Sequence, residues 1–80
     1  MKYIVFENRM PVLFPRYINH FDMAKLIGRE ATSAGFVQSF GGELRAYGRS
    51  ESLQLNSDPG RDTQLLKINS ERVDIWPPGH

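Results

Sequence analysis

The chain contains no cysteine. That excludes disulfides as a brace for its 80 residues, and it excludes any thiolate metal site. Histidine is scarce as well. His20 and His80 are the only two, and no H-E-x-x-H or C-x-x-C pattern occurs, so no metal site is expected. An excess of charge of one sign is also missing: ten basic and nine acidic side chains leave a net charge of +1. Nucleic-acid binders usually carry a plainly basic face, so this balance places that role second.

Long hydrophobic runs are absent too. The longest, Tyr3 to Phe6, falls far short of the roughly 20 apolar residues that span a bilayer, so no membrane partner is expected. No stretch reads as a signal peptide, because Met1-Lys2 leads straight into strand-forming residues and then charge. With neither cysteine nor an export signal, the expected location is the cytoplasm. Motifs of catalysis are missing in the same way. No serine sits in a G-x-S-x-G elbow, and only His20 is placed to activate one. The carboxylates are scattered, with nothing to mark two of them as a couple. The expectation is a non-enzyme with no catalytic residues and no cofactor.

What is present suits one small core. Hydrophobic residues make up 40% of the chain, with one tryptophan, three tyrosines and five phenylalanines. That composition is too apolar for disorder and enough for a single domain, expected over residues 1–73. Residues 74–80 hold Trp76 and then Pro77-Pro78, which continue neither helix nor ladder, so they read as a C-terminal arm.

The most informative stretch is Ser33 to Arg49. Gly41-Gly42 between two strand-forming runs predicts a tight hairpin, since both glycines reach positive φ without steric cost. A two-residue loop sets Phe40 opposite Glu43, Gln38 opposite Arg45 and Phe36 opposite Tyr47. Alternation then puts Phe36, Gln38, Phe40, Arg45, Tyr47 and Arg49 on one face. Val37, Ser39, Leu44, Ala46, Gly35 and Gly48 form a smooth opposite face.

Residues 2–7 and 10–14 predict an earlier hairpin turning at Asn8-Arg9, with Val5 opposite Val12 and apolar residues on both faces. Asn19 caps a helix of about eight residues that Gly28 stops, and the smooth hairpin face is its expected seat. Ser50 to Asn56 alternates like a half-buried strand. Asp58 then caps a second helix with Pro59 at its first position. The sum is an α+β fold: a small, mostly antiparallel sheet of four to five strands, built from two hairpins, with two short helices.

The opening MKYIVFENRMPVLFP, with SAGFVQ and AYGRSESLQL, resembles short uncharacterised proteins encoded by bacteriophages and prophages. The resemblance spans about the first 55 residues. It implies an accessory role and assigns no activity or site residue. On the residues themselves, the leading expectation is a non-catalytic interaction module. Its partner-binding residues would be Phe36, Gln38, Phe40, Arg45, Tyr47, Arg49 and Trp76, meeting a protein partner or a second copy in a homodimer. The first alternative is a nucleic-acid binder using the same face. The other is a binder of a small anionic ligand held by Arg61, Arg49 and His20.

Overall fold

The computed structural model describes residues 1–68 and the backbone of Asp74–Ile75. In chain order the elements are β1 (Lys2–Phe6), β2 (Met10–Phe14), α1 (His20–Ile27), β3 (Ala31–Phe40), β4 (Glu43–Tyr47), β5 (Arg49–Ser50), β6 (Leu55–Asn56), α2 (Pro59–Ile68) and β7 (Asp74–Ile75). The main sheet runs β4-β3-β1-β2-β7, antiparallel except for β7, which lies parallel to β2. β5 and β6 form a separate two-stranded ribbon. This is the small α+β fold expected. Of the anticipated arm, Asp74–Ile75 pair with Val12 and Leu13, and residues 76–80 lie outside the described residues.

The central hairpin forms in the expected register, from Phe36 opposite Tyr47 to Phe40 opposite Glu43. Gly41 and Gly42 take φ of 55° and 87°, the left-handed pair that a two-residue turn requires. The first hairpin does not follow its expected register. Val5 faces Pro11 and Ile4 faces Val12, one residue away from the pairing of Val5 with Val12. The turn falls on Glu7 and Asn8, both at positive φ, and closes by Arg9 N–H donating to Phe6 C=O at 3.1 Å. Contacts from the neighbouring strand hold this unusual turn. Glu7 N–H donates to Glu30 C=O, and Asn8 N–H donates to Thr32 Oγ1. Because both faces of this hairpin are apolar, the hydrophobic pattern could not reveal the slip.

Each face of the sheet has its own core. Tyr3, Val5, Leu13, Val37 and Ala46 pack with Leu66 of α2. Ile4, Phe6, Val12, Phe14 and Ala34 pack with Met23 of α1, joined at the rim by Leu53 and Leu55. The helix on the smooth face is thus α2, whereas α1 was expected there. Gly35 explains how tightly that region closes: a Cβ on it would lie 2.4 Å from the Tyr47 carbonyl oxygen.

The strand expected over Ser50 to Asn56 is also replaced, by a turn across residues 51–54. Ser50 Oγ accepts Leu53 N–H, a local bond that competes with an extended strand. The turn points both Leu53 and Leu55 at the α1 core.

Both helix caps appear as expected. Asn19 Oδ1 accepts Phe21 N–H at 2.7 Å, and Gly28 closes α1 at φ 75°. Asp58 Oδ1 accepts Arg61 N–H at 3.2 Å at the start of α2. Asp62, fully buried one turn into α2, does more than cap. Its carboxylate accepts from Tyr3 Oη on β1, from Ser33 Oγ on β3 at 3.0 Å and from Asp58 N–H at 3.0 Å. The Arg61 guanidinium lies beside it at 3.4 Å and reaches on to Asn8 Oδ1 at 2.9 Å. Among the described residues every buried side-chain nitrogen and oxygen has a hydrogen-bond partner.

Removing the Asp62 carboxylate strands all these donors in the interior. Asp62→Ala is expected to lower unfolding stability by about 3 kcal/mol, and Tyr3→Phe, which removes one donor, by about 1–2 kcal/mol. Urea titrations of the three proteins check the order. Equal losses for the two variants would contradict it.

Candidate aromatic-basic face

The site begins where the sheet narrows. β1 pairs with β3 only from Lys2 opposite Phe36, and Val37 N–H donates to Met1 C=O just beyond. The hairpin from Gln38 to Arg45 therefore projects past β1. On the α1 side of the sheet it presents Phe40, 52% exposed, and Tyr47 at its base is 45% exposed. The Arg45 guanidinium lies over the Phe40 ring at 5.5 Å. Gln38 is exposed opposite Arg45.

Deeper in, four rings form a row. Tyr47 leans on Phe36 at 5.8 Å, Phe36 meets His20 edge-on at 5.7 Å, and His20 meets Phe14 edge-on at 5.4 Å. Phe36 is half-buried, and Arg16 sits 6.0 Å above its ring. The row ends in an open depression lined by Lys2, Asn19, His20, Phe36, Arg49, Glu51 and Ser52. Arg49 is not in the ladder as alternation implied. Gly48 at φ 78° ends β4 at Tyr47, and Arg49 starts the small ribbon, 3.7 Å from Glu51. It still reaches the Phe36 neighbourhood, by way of the depression. Lys2 Nζ donates to Ile18 C=O at 2.8 Å, which fixes that cation at the rim.

The structure thus gathers Phe36, Gln38, Phe40, Arg45 and Tyr47 on one face with Arg49 at its margin. Trp76 lies outside the described residues. The residues expected around a small anion are separated. Arg61 is committed to Asp62, Ser33 and Asn8 beside the turn end of β1, whereas His20 and Arg49 line the depression beside Lys2 at its start. Lys2 and Arg16 are additions that the sequence did not mark, and His20, expected beside Arg61 at an anion site, joins the Phe36 row instead. The Asn19 cap placed His20 in a first helical turn, but with α1 expected on the other face the histidine pointed nowhere near Phe36.

His20 is buried, and its Nε2 lies 2.9 Å from Gly35 C=O. Burial is the main force holding its pKa below the usual histidine value. The nearby Lys2 charge pushes in the same direction, and the Gly35 carbonyl opposes both. Compared with protein-family models, with curated proteins and with solved structures, the chain matches none.

A histidine kept neutral by folding makes stability depend on pH. The unfolded chain takes up a proton at about pH 6.5 that the folded His20 resists, so the unfolded state binds more protons below that pH. Stability is then full above about pH 6.5 and falls as the pH drops through it. Urea unfolding at a series of pH values should show this slope, flattened in His20→Gln. An equal slope in both proteins would place its origin elsewhere.

Proposed function

We propose that this chain is a small non-catalytic interaction module that binds a protein partner through the aromatic-basic face. Exposure carries the reading. Two large rings stand half open to water beside Arg45, Phe40 on the projecting hairpin and Tyr47 at its base, and tyrosine and arginine are enriched at the energetic centres of protein interfaces. Charge sets the kind of partner. Lys2, Arg16, Arg45 and Arg49 outnumber Glu43 and Glu51 around the face, so the complementary surface carries carboxylates among apolar side chains.

Tyr47→Ala and Arg45→Ala should each weaken binding of a captured partner about 10-fold or more, the scale of an interface hot spot. Gln64→Ala, on exposed α2 across the sheet, should leave binding intact. Titration of the purified partner against each variant measures this. Equal affinity for all four proteins would remove the face from consideration.

A second reading is favoured by one observation, the stacking of Arg45 over Phe40 and of Arg16 over Phe36. Rings with adjacent guanidinium groups are also how single-stranded nucleic acid is held, bases on the rings and phosphates on the cations. Fluorescence anisotropy with a labelled single-stranded oligonucleotide tests it. Binding that falls steeply with salt and is lost in Arg45→Ala supports nucleic acid, and no binding at low salt excludes it.

A further inference from the structure

We infer that β4 is a self-complementary edge through which two copies of this chain join their sheets. β4 is the end strand of the main sheet. Its inward residues, Glu43, Arg45 and Tyr47, face Phe40, Gln38 and Phe36 of β3. Ala46 N–H points the other way, off the sheet, where Thr63 Oγ1 accepts it at 3.0 Å. Alternation along an antiparallel strand then directs the N–H and C=O of Leu44 outward as well. Neither has a hydrogen-bond partner among the described residues.

The side chains around Leu44 decide what can pair there. Glu43 and Arg45 flank it on the aromatic side of the sheet, and neither forms an ion pair among the described residues. A second β4 laid antiparallel about a two-fold axis sets Leu44 opposite Leu44. Each leucine N–H then donates to the other's C=O. In that register Glu43 of each copy faces Arg45 of the other, giving two opposite-charge cross-strand pairs. A shift by two residues sets Glu43 against Glu43 in one direction and Arg45 against Arg45 in the other, and both are destabilising. A shift by one would pair residues from opposite faces, which an antiparallel ladder forbids. One register alone satisfies the charges, and it is the isologous pattern of a closed dimer.

Two further features set its extent. Leu44, 37% exposed on the α2 side, meets its own copy across the axis. Thr63 occupies the edge at Ala46, which this register sets opposite Gly42 of the other copy, so the ladder is limited to the two bonds between the leucines. Because the axis stands perpendicular to the sheet, the aromatic-basic faces of the two copies lie side by side and form one wider surface. The inference rests on the edge and not on what that face binds.

Sedimentation velocity over about 10 μM to 1 mM, the range suited to a small contact, tests it. The wild-type mass should rise from monomer toward dimer with concentration. Glu43→Arg and Arg45→Glu, each creating two like-charge pairs, should stay monomeric alone. An equimolar mixture of the two should associate again, since every contact across that axis is then of opposite sign. Leu44→Pro removes the outward N–H without touching the β3 ladder, and should be monomeric with a wild-type circular dichroism spectrum. A wild type that remains monomeric throughout overturns the inference. So does undiminished association of either charge variant, or a mixture that fails to associate. Partner capture by the aromatic face is measured separately with Leu44→Pro, so the two readings fail independently.

Discussion

The buried carboxylate of Asp62 is the constraint on which the rest of this small fold depends. A charge taken out of water is costly unless donors surround it, and here they arrive from three elements at once. Tyr3 comes from the central strand, Ser33 from its neighbour, and the Asp58 amide and Arg61 from the helix itself. Burial, followed by the hydrogen bond to Asp62 and its charge, holds the Tyr3 hydroxyl far above the usual tyrosine pKa, so it stays a donor. These directional bonds constrain the angle and height at which α2 lies on the sheet more narrowly than the apolar contacts of Leu65 and Leu66 do.

That placement in turn decides which face can do anything else. With α2 covering the smooth side, α1 and the short β5–β6 ribbon take the other, but they reach only as far as Phe14, Phe36 and His20. Among the described residues no element packs on the outer half of the β3–β4 hairpin, and its rings and guanidinium groups face water. Core and candidate surface are therefore continuous. The ring row runs from buried Phe14, through neutral His20, to half-exposed Tyr47.

Local chemistry made much of this legible in the sequence. Gly41-Gly42 specified the central hairpin pair by pair, and Asn19, Gly28, Asp58 and Pro59 marked the helix ends. What escaped depends on partners remote in the chain. Asp62 looks like an ordinary first-turn acid until Tyr3, 59 residues away, is brought beside it. The Glu7-Asn8 turn needs positive φ at a glutamate, which local preference disfavours and which contacts from Glu30 and Thr32 sustain. Leu53 and Leu55 alternate as a strand would, yet the Ser50 hydroxyl folds them into a turn that serves the same core. The aromatic-basic row was readable because alternation within one hairpin is local. Its extension to Lys2, Arg16 and His20 was not, because it required knowing which helix lay on which side.

The union of Tyr3 with Asp62 also has a bearing on how the protein is born. Tyr3 is made 59 residues before its carboxylate partner. Until then the nascent sheet has Leu13, Val37 and Ala46 bare on one side, with a hydroxyl in their midst awaiting an acceptor. That side of the sheet can close only once α2 has been made and Leu66 is there to cover it.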